Sequence, residues 1–296
     1  MAWGTFSIAD ATYDNKSLNT GDDKGYTACY NNDGTKLFTG ERDSGHTYIR
    51  QYILSTAYDI STASYVTRGI SMYGGGFPQQ VYFKPDGTKV YFSPGSVSGY
   101  TYQYNLSTAW DISTASKVGY SNIGGYRFYI RDNGTDVYKI KVVSSSYRVY
   151  QYSMSTAWDI TTLSASPNTY YQLGSSSFEI NGLYFKDDGT KMYVVSNNTD
   201  TVRQYTLSTA WDISTASYDS LSVSISSQTT NPYGLSFRHD NGSKFLVSAY
   251  NYIYQYSTYT PTPETNIKSY NGLDKASIKS INGLAIANIK SINGLS

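Results

Sequence analysis

This chain of 296 residues contains little cysteine and histidine, and its net charge is small. The single cysteine, Cys29, excludes an internal disulfide and argues against a thiolate metal site. Of the two histidines, His46 has no evident acid or thiol partner nearby in sequence, and His239 lies in a turn. A formal net charge of +1 provides no electrostatic attraction to nucleic acid or to an anionic membrane, so neither partner is expected.

Long apolar runs and catalytic signatures are also missing. No stretch approaches the ~20 apolar residues of a transmembrane helix, so no membrane span is expected. The first ten residues, MAWGTFSIAD, lack the basic region and apolar core of a secretory signal, and none is expected. Neither a phosphate-binding loop nor a metal-ligand cluster is evident. The sequence therefore predicts no cofactor, no metal and no enzymatic activity.

What the chain does contain is a long internal repeat. The segment LSTAWDISTAS begins at Leu106 and Leu207, and diverged copies begin at Leu54 and Met154. A Gln-Tyr pair precedes each copy, and an Asp/Asn-Gly-Thr/Ser turn lies further upstream. The turn glycines are spaced by 47 to 55 residues and are Gly34, Gly87, Gly134, Gly189 and Gly242. A period near fifty residues is typical of a four-stranded propeller blade.

The ends of the chain indicate how the array closes. The fifth unit stops at Tyr256, without the Trp-Asp corner and the fourth strand of the other units. Residues 7–14 resemble residues 212–219 of the fourth unit, so the N-terminal segment is predicted to supply the missing strand and remove open sheet edges. We therefore predict an all-β, five-bladed β-propeller over residues 1–256, a Pro/Thr linker over 257–265 and a repeat tail over 266–296.

Positions that the units share are assigned to the blade itself. Trp110, Trp158 and Trp211 are predicted to fill the gaps between blades. The aspartate after each tryptophan is predicted to accept backbone hydrogen bonds in its corner. The Asp-Gly turns lack the ligand spacing of a calcium loop and are interpreted as plain turns. The basic residues of the third unit are interpreted as a solvated face rather than a polyanion site; they are Arg127, Arg131, Lys139, Lys141 and Arg148.

Loops that differ between units should lie together on the face opposite the turns, because successive strands alternate in direction. Variable loops on a rigid scaffold commonly carry binding residues. The 33 tyrosines suit sugar or protein surfaces, although packing between sheets is their other use. The candidate ligand-binding residues are Tyr73, Phe77, Tyr126, Tyr171, Tyr233, Tyr250, Arg42, Asp43, Asn197, Asn198 and Asp200.

The tail carries a second repeat, with a step of eleven residues. An eleven-residue period can indicate a helical supercoil, but the Asn-Gly pair in each copy favours short strands joined by tight turns. About thirty residues bury little core alone, so we predict docking on another chain or on its own copies, with a disordered tail as the alternative. The candidate anchoring residues are Ile267, Tyr270, Leu273, Ile278, Ile281, Leu284, Ile289, Ile292 and Leu295.

The repeat Phe-x-x-Asp-Gly-Thr-Lys…Gln-Tyr-x-Leu-Ser-Thr-Ala-Trp-Asp-Ile resembles propeller repeats of bacterial and phage proteins, related in style to Tyr-Val-Thr-Asn propellers. The tail motif Ile-Lys-Ser-Ile-Asn-Gly-Leu resembles C-terminal segments of phage structural proteins. This resemblance implies a non-enzymatic virion protein, such as a fibre, decoration or tail-associated protein, made in the host cytoplasm. The third unit departs from the pattern, since Asp136 replaces the turn lysine.

Three functions follow as hypotheses. The first is a virion surface protein whose tail contacts other virion proteins or its own copies and whose propeller binds a host-surface glycan or protein. The second is a free multivalent lectin, which would need similar pockets in every blade. The third is a propeller hydrolase or lactonase, which would need converging acids or a metal at the central channel.

Overall fold

Five antiparallel sheets of four strands each account for most of the described residues up to 258. The computed structural model describes residues 6–21, 25–73, 76–95, 99–125, 127–175 and 178–258, and four two-residue strands between 269 and 285. The chain separates into two compact units, residues 1–259 and residues 260–296. No helix in the described part of the chain is long and apolar enough to cross a membrane.

Each sheet is one blade. The N-terminal strand β1 (Thr12–Asn19) precedes blade one, which contains β2 (Ala28–Tyr30), β3 (Lys36–Asp43), β4 (His46–Leu54) and β5 (Ala63–Tyr73). Blade two contains β6 (Gln80–Phe83), β7 (Lys89–Ser93), β8 (Thr101–Leu106) and β9 (Ala115–Ser121), and blade three contains β10 (Arg127–Ile130), β11 (Asp136–Val143), β12 (Ser146–Ser153) and β13 (Thr169–Ser175). Blade four contains β14 (Ile180–Phe185), β15 (Lys191–Ser196), β16 (Thr201–Leu207) and β17 (Ala216–Ser224), and blade five contains β18 (Pro232–Phe237), β19 (Lys244–Ala249), β20 (Tyr252–Ser257) and β1.

The first strands of the blades form a closed ring. Strand β2 contacts β6 and β18, β10 contacts β6 and β14, and β14 contacts β18. Five sheets arranged around a central channel make a five-bladed β-propeller, so the predicted fold class is confirmed. The Asp-Gly turns and the Trp-Asp corners lie on one side of this ring, here called the turn face. The other connections lie on the opposite side, here called the loop face.

The N-terminal segment completes the last blade. Strand β1 pairs antiparallel with β20 along its length. Asp14 Oδ2 accepts hydrogen bonds from Lys244 Nζ at 2.9 Å and from Gln255 Nε2 at 2.6 Å. Both partners lie more than two hundred residues further along the chain, so the predicted closure by the N-terminal strand is confirmed.

An indole fills the gap between neighbouring blades at the corners. The Trp110 ring stacks on Phe83 of its own blade and on Phe38 of the preceding blade, with ring centroids 5.0 and 6.3 Å apart. The same ring lies against Gly87, where a Cβ atom would collide with it. Gly87 also has φ +73°, so both its backbone and its contact with the indole require glycine.

A glutamine on the third strand of a blade holds the next blade. Gln103 Oε1 accepts a hydrogen bond at 2.8 Å from the N–H of Ile160, the first residue of the 3-10 helix in the following corner. Asp159 caps that helix, as predicted for the corner aspartates. The same bond, at 3.1 to 3.2 Å, joins Gln51 to Ile112, Gln204 to Ile8 and Gln255 to Ile60. We call this contact the glutamine clasp.

The third blade lacks the clasp to the fourth. Gln151 Oε1 is buried and accepts no hydrogen bond among the described residues. Its Nε2 lies 3.4 Å from Oδ1 of Asp136, which stands where the other units have lysine. The third and fourth blades remain joined by other contacts, among them the 2.8 Å hydrogen bond that the Tyr138 hydroxyl donates to the carbonyl of Trp211.

The basic residues of the third blade do not form the predicted solvated face. Arg127 is 3% exposed and Lys139 is 0% exposed, whereas Arg131, Lys141 and Arg148 are partly exposed. Lys139 Nζ has no hydrogen-bond partner among the described residues, and burial lowers the pKa of Lys139 to about 7. The prediction is wrong because Lys139 occupies a strand position that is fully buried in every unit, where the others place Thr39, Phe92, Val194 and Val247.

The second unit contains two very short hairpins. Ser269–Tyr270 pairs with Leu273–Asp274, and Ser280–Ile281 pairs with Leu284–Ala285. Each pair flanks an Asn-Gly dipeptide in sequence, as predicted for the first two copies of the tail repeat. Of the anchoring candidates, Tyr270, Leu273, Ile281 and Leu284 lie in these strands. The other candidates lie outside the described residues and are Ile267, Ile278, Ile289, Ile292 and Leu295.

Replacing the clasp glutamine should destabilise the ring where the clasp exists. Gln103→Leu leaves the buried N–H of Ile160 without its acceptor, and we expect a loss of about 1–3 kcal/mol in the free energy of unfolding, measured by urea denaturation. Gln151→Leu is the matched control, because Gln151 makes no clasp, and it should cost much less. Equal losses in the two variants would contradict the clasp.

Removing the buried ammonium of Lys139 should stabilise the protein in a pH-dependent way. The unfolded chain holds this proton up to about pH 10.4, whereas the folded chain releases it near pH 7. Stability of the wild type should therefore rise with pH between these values. Lys139→Met should melt above the wild type at pH 6.5, with a gain that shrinks by pH 10.

Circular dichroism melting curves at pH 6.5, 8 and 10 test this expectation. Lys117→Met, at an exposed position of blade two, is the control and should change little at any pH. A Lys139→Met variant that melts below the wild type at pH 6.5 would show that the ammonium is stabilising.

Candidate functional site

A pocket opens on the loop face, where the inner strands begin. Its volume is about 560 Å³, within the range of small-molecule sites. Blades two to five contribute side chains to it, and its polar and aromatic lining includes Gln79, Arg127, Lys141, Tyr147, Glu179, Asn181 and Tyr233. We call this the loop-face pocket.

Arg127 is the most deeply buried charged group of the loop-face pocket. Its Nη1 donates to the carbonyl of Gln79, and its buried Nε has no hydrogen-bond partner among the described residues. Burial lowers the pKa of Arg127 to about 9, while Tyr233 and Glu179 act in the opposite direction. A guanidinium withdrawn from water favours an anionic partner that can accept two parallel hydrogen bonds.

The remaining charges of the loop-face pocket are held by neighbours. Lys141 Nζ donates to the Tyr152 hydroxyl at 2.6 Å. Glu179 lies 3.5 Å from the side-chain amides of both Asn181 and Asn197. The two basic lining residues outnumber the one acid, so the pocket carries a formal positive charge.

An aromatic cluster lies next to the loop-face pocket. Tyr26, only 1% exposed, is surrounded by Phe77, Tyr233 and Tyr250, with ring centroids 4.8, 4.9 and 5.4 Å away. Phe77 and Tyr250 are 40% and 43% exposed. The guanidinium of Arg42 lies over the Phe77 ring at 4.7 Å. The structure thus brings together four of the predicted ligand-binding residues, Phe77, Tyr233, Tyr250 and Arg42, around a tyrosine that sequence reasoning did not select.

Four further candidates, Asp43, Asn197, Asn198 and Asp200, lie outside this cluster and do not line the loop-face pocket. Asp43 pairs with Arg68 at 2.8 Å at the end of the β3–β4 hairpin. Asn197, Asn198 and Asp200 form the β15–β16 hairpin turn, where Asp200 accepts a backbone hydrogen bond from Ile225 at 2.8 Å.

The remaining three candidates are the tyrosines Tyr171, Tyr73 and Tyr126. Tyr171 lies in strand β13 rather than in a loop, because the corner of blade three extends to residue 168. It is half-buried, and its ring centroid is 6.0 Å from that of Tyr205. Tyr73 ends strand β5 opposite His46, and its side chain is outside the described part of the structure. Tyr126 lies outside the described residues.

On the turn face, three side chains converge at the channel mouth. Asp132, Asp187 and His239 come from the turns of blades three, four and five, and their ligand atoms all lie within 4.8 Å of one another. His239 Nε2 lies 3.7 Å from Asp132 Oδ2, and His239 Nδ1 lies 3.7 Å from Asp187 Oδ1. Burial raises the pKa of Asp132, against the opposing effects of His239 and Arg131. We call these three residues the turn-face triad.

The aspartates of the Asp-Gly dipeptides are distinct from the triad residues. Asp33, Asp86 and Asp188 behave as plain turn residues, since each Oδ1 accepts from the N–H of a threonine two residues later at 2.9 to 3.0 Å. Each triad residue lies one or two positions before the capping residue of its own turn; these capping residues are Asn133, Asp188 and Asn241. A cavity of about 50 Å³ beneath them is lined by inner-strand side chains that include Tyr82, Tyr129 and Tyr184.

Sequence reasoning missed Arg127 and the triad for the same reason. Both lie at positions that differ between blades, and only their place around the ring brings them to the channel. Aligning the inner strands would have supplied a signal, because the position of Arg127 holds Thr27, Gln80, Gly182 and Gly234 in the other units.

The chain matches no protein-family model and no curated protein sequence. Solved structures with similar backbones include a putative 6-phosphogluconolactonase from Bacteroides uniformis, with 10% identity, a TM-score of 0.45 and coverage of 68% of this chain and 55% of that chain. The periplasmic gluconolactonase PpgL of Pseudomonas aeruginosa has 13% identity, a TM-score of 0.45 and coverage of 75% and 62%. The β-propeller domain of Cps50 (Swd1) from Myceliophteria thermophila has 9% identity, a TM-score of 0.45 and coverage of 82% and 98%. This chain therefore aligns with less than two thirds of either lactonase, and the assignment of its fold rests on its own strand pairing.

Proposed function

We propose that this chain is a non-enzymatic virion protein that binds an acidic glycan on the loop face of its propeller and is anchored by its C-terminal tail. The observation that carries the binding role is the loop-face pocket, in which the 97% buried Arg127 lies beside amide and phenol groups. The virion location and the anchoring role rest on the resemblance of the repeats to phage proteins.

The size and chemistry of the loop-face pocket suit a sugar. A volume of about 560 Å³ accommodates one or two sugar rings. Amide and tyrosine groups are good partners for sugar hydroxyls, and the exposed faces of Phe77 and Tyr250 provide surfaces for stacking beside the pocket. An acidic sugar would place its carboxylate against the guanidinium of Arg127 and offset the cost of its burial.

The two alternative functions receive less support. A multivalent lectin needs equivalent pockets in every blade. However, the position of Arg127 holds threonine, glutamine or glycine in the other blades. A lactonase or hydrolase finds converging acids in the turn-face triad, as that hypothesis requires. However, the cavity of about 50 Å³ beneath the triad has room for a few waters but not for a sugar ring.

Binding measurements on the full-length protein test the choice of ligand. On a glycan array, the protein should bind sialylated or uronate-containing glycans. In solution titrations, it should bind the neutral counterparts of these glycans at least tenfold more weakly. Arg127→Gln should weaken acidic-glycan binding about tenfold or more, which corresponds to at least ~1.4 kcal/mol. Arg148→Gln is the matched control, because Arg148 belongs to the same blade but does not line the pocket.

Equal affinity for acidic and neutral glycans would show that Arg127 does not bind an acidic group of the ligand. No glycan binding at all would contradict the proposed function. A melting curve for Arg127→Gln accompanies each titration, so that a loss of binding is separated from a loss of folding.

Deleting residues 260–296 tests the anchoring role of the tail. The deletion removes the second unit and leaves all four strands of every blade in place. We expect the shortened protein to keep its β-sheet spectrum and its glycan binding, and to lose incorporation into particles and any self-association. Light scattering after size exclusion and particle incorporation assays measure the change, and unchanged assembly would contradict the proposal.

A further inference from the structure

We propose that the turn-face triad binds a divalent transition-metal ion, with Asp132, Asp187 and His239 as its ligands, and that this ion ties blades three, four and five together. This site lies on the opposite face from the loop-face pocket and does not depend on the proposed glycan binding.

The triad has the donor atoms and spacing of a metal site. Metal bonds of about 2.0–2.2 Å place neighbouring ligand atoms about 3 to 4.3 Å apart. The distance from His239 Nε2 to Asp132 Oδ2, at 3.7 Å, falls within this range. The other 3.7 Å contact, to Asp187, uses His239 Nδ1, and one ion binds only one nitrogen of an imidazole. All three ligand atoms lie within 4.8 Å of one another, so small side-chain rotations would complete the geometry.

A buried hydroxyl lies beneath the triad. Tyr129 is 1% exposed and lines the cavity, and its hydroxyl makes no hydrogen bond of full geometry among the described residues. Its neighbour is the Tyr82 hydroxyl, which donates to the carbonyl of Ile130 at 2.6 Å. Burial first, and then the neighbouring Tyr82, Tyr184, Asp132 and Asp187, raise the pKa of Tyr129. A metal-bound water in this cavity would give the phenol a partner, and a volume of about 50 Å³ admits such waters.

The local charges favour a cation. Asp132 Oδ1 is buried and accepts no hydrogen bond among the described residues. The adjacent Arg131 pairs with Asp136 at 3.2 Å, and Lys186, beside Asp187, pairs with Asp188 at 2.7 Å. The two nearest basic residues in the sequence thus pair with other carboxylates, and Arg131 acts on Asp132 only through its charge.

The donor set selects the class of ion. One imidazole and two carboxylates suit Zn²⁺ or Mn²⁺, with water completing the coordination, whereas Ca²⁺ takes six to eight oxygen ligands. The blades that the ion would join include the third and fourth, which lack the glutamine clasp. The ion would therefore supply a link where the repeat has lost one.

Metal titration of the full-length protein, after chelation and dialysis, tests this inference. Calorimetry with Zn²⁺ and with Mn²⁺ should show one saturable site for at least one of them, and that ion should raise the melting temperature, whereas Ca²⁺ should not. Asp187→Asn and His239→Gln should each weaken binding at least tenfold and abolish the rise in melting temperature. His46→Gln and Asp86→Asn, in the Asp-Gly turn of blade two, are matched controls and should bind as the wild type does.

A loss of metal binding can be distinguished from a loss of folding. In metal-free buffer Asp187→Asn should melt at or above the wild-type temperature, because it removes one of two neighbouring carboxylates, and this confirms that the variant is folded. Failure of every ion to bind, or equal binding by the triad variants, would overturn the proposal. Glycan titrations on the metal-free protein report separately on the loop face.

Discussion

The hydrogen bond from the first N–H of one corner helix to a glutamine of the preceding blade joins four of the five pairs of neighbouring blades, and most of the ring depends on it. The N–H groups at the start of a helix have no partner within it, and at these corners the first N–H is buried. The glutamine supplies the acceptor from a neighbouring sheet and so fixes the position of one blade against the next. Gln204 makes this bond to Ile8, 196 residues away in sequence. The N-terminal segment is thus placed by the same contact as the internal blades, in addition to its pairing with β20.

Because clasps and indoles hold the blades together away from the axis, the residues that face the channel are free to differ. The channel-facing residues that differ from the repeat lie mostly in blades three to five. Blade three places Arg127 in the loop-face pocket and Asp132 at the turn-face mouth, and it also buries Lys139 without a partner. The same blade replaces the turn lysine with Asp136 and loses its clasp. Departures from the repeat and candidate functional groups therefore coincide, as expected where function competes with stability.

The repeat alone allowed much of the scaffold to be predicted. The spacing of the turn glycines indicated five blades, and the missing corner of the fifth unit indicated closure by the N-terminal strand. Corner residues such as Trp110 were assignable because each unit repeats their role. The turn-face triad was not, since Asp132 and His239 are 107 positions apart in sequence and meet only through the curvature of the ring. Burial of Lys139 was missed because no periodicity within one strand shows which face meets the next blade.

The two mouths of the channel are separated by a layer of phenol rings, and this separation bears on function. Tyr129 lies edge-on to Tyr82 at 5.4 Å and to Tyr184 at 5.2 Å. All three line the turn-face cavity, and none lines the loop-face pocket. A ligand held at Arg127 would therefore not reach groups bound to the triad, and a reaction needs its reacting atoms in contact. This arrangement favours recognition on the loop face and a structural role for an ion on the turn face over catalysis that combines the two.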